Sequence, residues 1–232
     1  MEPILQLKDV VKRYGTKPAL SGVSFEVGPG KIIGLLGSNG SGKTTIMKLA
    51  AGLMQPTSGS VAVCGLPTGN YSKACTAFMP DKPLTESWMK VRDAIAFSRD
   101  LYPDFDDAKA RDMLSFMQLN PDDKTTSLSK GMNERLQLTL TISRNAKLYL
   151  LDEPIGGVDP VARDKILDAI VQYYNEESSL IISTHLVRDI ERIFDEVLFI
   201  KEGKVALHEA VDDLRMKYGK GVDEMFKEVY AQ

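Results

Sequence analysis

Residues 32–44 read Ile-Ile-Gly-Leu-Leu-Gly-Ser-Asn-Gly-Ser-Gly-Lys-Thr, so an apolar run passes directly into a glycine-rich segment. Within this stretch, residues 37–44 match the pattern G-x-x-x-x-G-K-(S/T). Behind them, apolar residues recur at spacings of 3, 4 and 7, which is typical of a helix that buries one face: Ile46, Leu49, Ala50 and Leu53. A strand, a loop and a helix in this order are the context in which the pattern forms a phosphate-binding loop.

The chemistry of such a loop follows from its residue types. Glycines let the backbone curl until several N–H groups point at one anion, and the helix behind them adds roughly half a positive charge. We expect Lys43 to reach the β and γ phosphates of a nucleotide and the Thr44 hydroxyl to ligate Mg2+. The predicted ligand is Mg-ATP and the predicted reaction is hydrolysis of its terminal phosphate. The candidate nucleotide-binding residues are Gly37, Ser38, Asn39, Gly40, Ser41, Gly42, Lys43, Thr44 and Thr45.

Two acidic residues follow a predicted apolar strand at residues 148–151, so their carboxylates should emerge at the carboxyl edge of a sheet. Asp152 is placed to hold Mg2+ through water, and Glu153 to orient and deprotonate the attacking water. The alternative, two acids that only cap a strand, is disfavoured by the phosphate loop. His185 follows the predicted strand at residues 179–183 and is a candidate to contact the γ phosphate or the water, the alternative being a structural histidine. The candidate catalytic residues are thus Glu153, His185 and Lys43.

The periodicity of the remaining chain predicts an α/β fold. Residues 4–36 alternate as strands, and after residue 148 near-continuous apolar strands alternate with helices, which favours a mostly parallel sheet covered on both faces. Residues 83–130 give helical patterns without a convincing strand. We therefore predict a phosphate-loop NTPase core made of residues 1–82 and 131–232. It has an N-terminal antiparallel β portion, and residues 83–130 form an inserted α-helical subdomain.

The charge balance disfavours nucleic acid as a partner. The 232-residue chain has 29 basic and 32 acidic residues, for a formal charge of -3, and no basic block. Its two cysteines, Cys64 and Cys75, lack C-x-x-C spacing and are too few for a disulfide framework, which indicates a reducing compartment. No apolar run reaches the roughly 18 to 20 residues of a membrane-spanning helix. We expect a cytoplasmic chain, with any membrane-spanning part on a different polypeptide.

One further segment makes a family resemblance specific. Leu128-Ser129-Lys130-Gly131-Met132 precedes a predicted helix and lies ahead of the carboxylate pair, in the place where the ATP-binding cassette (ABC) family carries its signature L-S-G-G-Q. Together with the phosphate loop, Asp152, Glu153, residues 157–159 and His185, this segment makes residues 2–208 resemble the nucleotide-binding subunit of an ABC transporter. The chain is most similar to separately encoded ATPase subunits of bacterial exporters.

The resemblance implies an assembly as well as an activity. In the family two such subunits pair head to tail, so the signature of one chain would contact the ATP bound by the other through Ser129, Lys130 and Gly131. The loop that communicates across this interface would be Gly157, Val158 and Asp159, and the aromatic that stacks on adenine would be Tyr14. The implied cofactors are ATP and Mg2+. The implied partners are a second ATP-binding subunit, as a homodimer, and a separate transmembrane permease subunit that holds the chain at the inner face of the cell membrane.

Three features depart from the family pattern. Lys130 and Met132 stand where the signature has Gly and Gln, so hydrolysis is expected to be slowed or retuned. Asp81 follows the predicted strand at residues 76–79, where the family usually has a glutamine that coordinates Mg2+ and touches the membrane partner. A carboxylate can still meet the metal, with a shorter reach. Gly156 replaces a common serine, which is a minor change.

Two other functions compete with this one. A soluble ABC-type protein acting on ribosomes or DNA would usually carry two cassettes, long coiled coils, zinc sites or basic arms, and none is visible in the sequence. An unrelated phosphate-loop GTPase or kinase would keep Lys43 and Thr44, but the guanine-reading Asn-Lys-x-Asp is missing. The nearest string is Asn-Pro-Asp-Asp at residues 120–123. The ATPase subunit of an exporter is therefore the leading prediction.

Overall fold

The computed structural model describes residues 2–81 and 85–231. The strands are β1 (Leu5–Tyr14), β2 (Lys17–Val27), β3 (Ile32–Leu36), β4 (Ser58–Val63), β5 (Leu66–Pro67), β6 (Thr76–Met79), β7 (Leu148–Asp152), β8 (Ser179–Thr184), β9 (Glu196–Lys201) and β10 (Lys204–Ala210). The helices are α1 (Lys43–Ala50), α2 (Asn70–Ala74), α3 (Val91–Leu101), α4 (Asp107–Phe116), α5 (Lys130–Ile142), α6 (Pro160–Tyr173), α7 (Val187–Ile190), α8 (Val211–Tyr218) and α9 (Val222–Ala231). Short 3-10 turns lie at Thr125–Ser127 and Glu191–Ile193.

The strands form two sheets. An antiparallel sheet of four strands has the order β2-β1-β4-β5, and a sheet of six strands has the order β10-β9-β3-β8-β7-β6. In the larger sheet β9, β3, β8, β7 and β6 run parallel, and β10 is antiparallel to β9. The chain leaves β3 for strands on one side and returns to β9 on the other, so β3 marks a topological switch point. Ligands of such sheets bind at the carboxyl ends of the strands near this point.

Successive side chains along the parallel strands point alternately into two hydrophobic cores. In β7, Leu148 and Leu150 face the core that contains α1 and the antiparallel sheet, whereas Tyr149 and Leu151 face the core formed with the other helices. A strand covered on both faces needs apolar residues at nearly every position, which is the pattern the sequence shows. The predicted α/β class is confirmed: a phosphate-loop core with a mostly parallel sheet, an N-terminal antiparallel portion and inserted helices.

The inserted helices α3, α4 and α5 lie between β6 and β7 in the chain. Helix α5 contacts α3 and α4 and also β6 and α6, so it joins the insertion to the sheet. Arg144, which follows α5, strengthens this junction by donating to the Asp104 carboxylate at 3.0 Å and to the Thr76 carbonyl at 2.8 Å. The predicted boundary between residues 82 and 83 lies outside the described residues, and the one between 130 and 131 falls in the first turn of α5.

The carboxyl-terminal third contains a strand that the sequence patterns did not predict. Before it, helix α7 continues directly into the 3-10 turn at Glu191–Ile193, and the chain then turns to place Asp195 before β9. There the Asp195 carboxylate accepts a hydrogen bond from Ile32 N at 2.8 Å. The sequence pattern gave no indication of β10. Glu202 and Gly203, both at positive φ, form the tight turn that joins β10 to β9. None of the described helices is long and apolar enough to cross a bilayer.

Candidate active site

The phosphate loop joins β3 to α1, and two of its glycines are required by close approach. Gly42 has a φ of +116°, and a Cβ there would lie 3.0 Å from the Ala19 carbonyl oxygen. A Cβ on Gly37 would lie 2.4 Å from Ser41 Oγ and 2.7 Å from the Ile200 carbonyl oxygen. The loop is therefore in close contact with β2 and with the end of β9. A larger residue at Gly37 or Gly42 would displace it.

Lys43 opens α1 and turns its side chain back into the loop. Its ammonium donates to the carbonyls of Gly37 at 2.7 Å and Ser38 at 3.2 Å, and lies 3.7 Å from a carboxylate oxygen of Glu153. Burial lowers the pKa of Lys43, and the neighbouring carboxylates of Glu153 and Asp152 oppose this shift. The Lys43 ammonium is thus held within the phosphate loop, where an anion would bind.

Asp152 ends β7 beside the loop, with a side chain that is 1% exposed. Its carboxylate accepts hydrogen bonds from the Thr44 hydroxyl at 3.3 Å and from the Ser183 hydroxyl. Burial raises the pKa of Asp152, and these two hydrogen bonds offset part of the rise. The structure therefore places an acid and a hydroxyl, both oxygen donors, next to the phosphate loop.

Glu153 has a φ of +53°, a left-handed conformation that costs a residue with a side chain roughly 1 to 3 kcal/mol. Its N–H donates to the Ser183 carbonyl at 3.0 Å, which helps to hold this conformation. Its carboxylate oxygens lie 3.1 and 3.0 Å from His185 Nδ1. The strained backbone thus aims the carboxylate at the space between Lys43 and His185.

These residues surround one cavity of about 460 Å3, a size typical of small-molecule sites. Most of the predicted site residues line it: Asn39, Gly40, Gly42, Lys43, Thr44, Thr45, Asp81, Lys130, Glu153, Gly157 and His185. Phosphate-loop, carboxylate and histidine positions that are far apart in the sequence therefore meet at one edge of the sheet. Ala19 and Gly156 line the same cavity and were not predicted.

Outside the loop and the acid pair, the predicted residues that do not line this cavity are Tyr14, Ser129, Gly131, Val158 and Asp159. Tyr14 ends β1, is 51% exposed, and directs its hydroxyl to Met54 Sδ at 3.5 Å. Ser129 caps α5 by accepting from Met132 N at 3.2 Å, and Asp159 caps α6 by accepting from Ala162 N at 3.0 Å. The amino ends of the two helices meet, because a Cβ on Gly131 would lie 3.4 Å from Val158 Cγ1.

Lys130 links this pair of helix ends to the cavity. A Cβ on Gly157 would lie 2.4 Å from Lys130 Nζ, so the side chain crosses directly over Gly157. One turn further along α5, the Glu134 side chain is 6% exposed. Burial raises the pKa of Glu134 to about 7, Lys130 opposes the rise, and Asp81 adds to it. Lys130 and Asp81 therefore act in opposite directions on the same buried acid.

Ser183 is a residue of this site that the sequence patterns missed. It pairs with Asp152 across β8 and β7, donates to that carboxylate, and accepts from Glu153 N at 3.2 Å. The available signal was its position as a polar residue near the end of an apolar strand beside the one that carries the acids. No sequence motif marks Ser183 as a site residue. Its role becomes visible only from the pairing of β7 with β8.

The fold and this cavity define a phosphate-loop nucleoside triphosphatase of the α/β class. The ABC transporter family model matches residues 20–156. An uncharacterised ABC transporter ATP-binding protein of Methanocaldococcus jannaschii is 32% identical over 94% of this chain and 81% of its own length. The Nod factor export ATP-binding protein I of Burkholderia orbicola is 32% identical over 86% of this chain and 68% of its own length. The chain belongs to the ABC transporter family.

Structural comparison agrees with this assignment. A solved ATP-binding subunit of an ABC transporter has a TM-score of 0.87 and 25% identity, covering 97% of this chain and 99% of that one. As a member of this family the chain binds and hydrolyses ATP and serves as an ATP-binding subunit of a transporter. The alternative of an unrelated phosphate-loop GTPase or kinase is thereby ruled out.

The buried acid on α5 gives a prediction about stability and pH. The folded chain keeps the Glu134 proton up to about pH 7, whereas an ordinary glutamate releases it near pH 4.5. The free energy of unfolding should therefore fall as pH rises through this window. Glu134→Gln should raise it by about 1 to 3 kcal/mol at pH 8, with a gain that vanishes toward pH 4.5. Urea unfolding at several pH values measures this, and the exposed Glu177→Gln is the control. An equal gain at pH 5 and pH 8 would contradict the prediction.

Proposed function

We propose that this chain is the ATPase subunit of an ABC exporter, paired head to tail with a second copy and attached to the membrane through a separate permease subunit. The observation that carries the catalytic part is the Glu153 carboxylate, held between Lys43 and His185 in the phosphate-loop cavity. Relatives named as Nod factor export ATP-binding proteins support export as the direction.

Phosphates and metal would be held by the loop and its neighbours. The Lys43 ammonium, already surrounded by carbonyl oxygens, would bind the β and γ phosphates. The Thr44 hydroxyl and the Asp152 carboxylate would hold Mg2+, with Asp81 available in the same cavity. Oxygen ligands of this kind suit Mg2+, which protein sites bind through one or two carboxylates and the phosphates of the nucleotide. The ion would neutralise charge on the phosphate oxygens.

Glu153 would act as the general base. Its carboxylate would take a proton from water as the water oxygen bonds to the γ phosphorus and the bond from that phosphorus to the bridging oxygen breaks. The products are ADP and inorganic phosphate. His185 Nδ1 lies within hydrogen-bond distance of this carboxylate, which suits it to orient the base or to contact the γ phosphate. The Lys43 ammonium lies 3.7 Å from the same carboxylate, so the base and the phosphate-binding cation face one reaction space.

The second subunit would complete the site. Ser129 is exposed at the amino end of α5 and does not line the cavity of its own chain, so its contact with nucleotide would be made across an interface. Residues 157–159 lie against this helix end and would belong to the same interface. Tyr14, half exposed at the end of β1, would stack on the adenine.

The permease subunit would dock in a groove between α3, α5 and β6. This groove of about 120 Å3 is lined by Phe78, Met89, Phe97, Leu101, Leu140 and Arg144. Phe97 is 54% exposed and Leu101 53%, an apolar surface suited to an apolar segment of a partner. Because β6 leads directly to Asp81 in the nucleotide cavity, a segment bound here would sense the state of the site. The proposed location is the inner face of the cell membrane.

The role of Glu153 is tested by Glu153→Gln, which keeps the shape and removes the base. Turnover should fall by about 100-fold or more, and ATP should trap a dimer that the wild type forms only transiently. Phosphate release and gel filtration with ATP measure these effects, with the exposed Glu202→Gln as the control. Unchanged turnover would refute the assignment.

The head-to-tail arrangement is tested by mixing two inactive chains. A Lys43→Ala chain supplies an intact Ser129, and a Ser129→Arg chain supplies an intact Lys43, so a mixed pair contains one complete composite site. Mixing should restore ATP turnover that neither chain has alone. The control mixture replaces the Ser129→Arg chain by one with both changes, which leaves no complete site. Failure to exceed that control would exclude action in trans.

The groove is tested by placing a photo-crosslinking amino acid at Phe97 or, as a control of similar exposure, at Val171 on α6. In source cells, the chain labelled at residue 97 should crosslink to an integral membrane protein, and the chain labelled at 171 should not. Mass spectrometry of the crosslinked product identifies its membrane-spanning segments. Equal crosslinking at both positions, or products that are all water-soluble proteins, would count against this docking surface.

A further inference from the structure

The carboxyl-terminal helix α9 lies outside the segment that the family model matches. Its last turn nevertheless reaches the edge of the parallel sheet that carries the phosphate loop. The Tyr230 hydroxyl donates to the Ile200 carbonyl at 2.7 Å and lies 3.3 Å from the Leu36 carbonyl. One hydroxyl therefore bridges the ends of β9 and β3, which are neighbouring strands.

Both carbonyls are in direct contact with the phosphate loop. Leu36 is the last residue of β3 and precedes Gly37, where the loop begins. Ile200 presents its carbonyl oxygen to Gly37 so closely that a Cβ there would lie 2.7 Å away. Fixing the Ile200 carbonyl thus fixes the surface on which the first glycine of the loop rests.

A second set of contacts connects the same two elements. Lys201, the last residue of β9, donates from its ammonium to the Val229 carbonyl of α9 at 2.9 Å. Within the turn that follows β9, Gly203 N donates to the Ser41 carbonyl of the loop at 3.0 Å. The end of β9 is therefore bonded to α9, and the turn directly after it is bonded to the phosphate loop.

Apolar packing holds α9 in place. Val222 and Met225 are buried, and the Phe226 ring packs edge-on against Phe199 of β9 with ring centres 6.0 Å apart. The Tyr230 ring lies 4.5 Å from Phe226. Burial raises the pKa of Tyr230 to about 12, so its hydroxyl is a proton donor at neutral pH. A fixed ring that carries a donor is suited to position a carbonyl.

We propose that Tyr230 is a positioning residue for the phosphate loop, through which α9 sets the affinity of the site for nucleotide phosphates. The Tyr230 hydroxyl acts through the carbonyls of Ile200 and Leu36, neither of which lines the nucleotide cavity. This role belongs to the ATP site of a single chain and does not depend on subunit pairing or on the permease. It would give α9, which no motif of the sequence explains, a function at that site.

Tyr230→Phe removes the hydroxyl and keeps the ring, so it tests this role directly. We expect the dissociation constant for MgADP, measured by calorimetry on the full chain, to rise about two- to tenfold, the effect of one lost hydrogen bond. Tyr218→Phe, a tyrosine of the same tail that is 46% exposed, is the matched control and should leave the affinity unchanged. Lys201→Met interrupts the second link and should weaken MgADP binding in the same direction.

Binding is measured at a temperature at which circular dichroism shows every variant folded, so loss of global stability cannot imitate the effect. A merely structural tyrosine would lower the unfolding temperature of the nucleotide-free chain and leave the MgADP affinity of the folded chain unchanged, which would overturn the proposal. An equal loss of affinity in the Tyr218→Phe control would overturn it as well. Weaker binding confined to Tyr230→Phe and Lys201→Met would support it.

Discussion

The buried carboxylate of Asp152 is the interaction on which the site depends. It accepts hydrogen bonds from Ser183 on the neighbouring strand β8 and from Thr44 in α1, the helix that follows β3 and the loop. Three segments that are distant in the sequence are thus joined at one point at the carboxyl edge of the sheet. An acid at 1% exposure is costly to bury without such partners, so the arrangement is stable only when all three segments are in register. The same register determines where Glu153 and the phosphate loop lie relative to each other.

The glycines of the loop impose a second constraint of the same kind. Gly42 and Gly37 are approached by carbonyl oxygens of β2 and β9, so the loop fits between strands of both sheets rather than standing free of them. A loop fixed in this way presents its N–H groups to an anion at little further cost in conformational entropy. The strain stored at Glu153 has the same consequence, because its carboxylate is already turned toward the cavity.

Local patterns were sufficient to predict most of the fold and much of the site. The change from an apolar strand to a glycine-rich loop and then to a helix is a short-range signal, and so is the pair of acids after β7. Ser183 and Ala19 were missed because their roles depend on strand register and sheet packing, which no local pattern records. The strand β10 was missed for a related reason. The contacts of Asp195 with Ile32 and Val211 decide the path there, and these residues are distant in the sequence. Tyr230 is the extreme case, since its partner Leu36 lies at the other end of the chain.

Lys130 and Asp81 place opposite charges in the nucleotide cavity. A lysine at the first turn of α5 opposes the favourable alignment of negative charge with a helix amino end, so its ammonium is best placed away from the helix axis. In this chain the side chain crosses Gly157 into the cavity, where Asp81 and Glu153 also lie. Asp81 brings a negative charge to this cavity and Lys130 brings a positive one. Their formal charges cancel in the total for the cavity, so together they affect how its charge is distributed. A substitution at either residue alone would therefore change the charge that the cavity presents to the phosphates of a nucleotide.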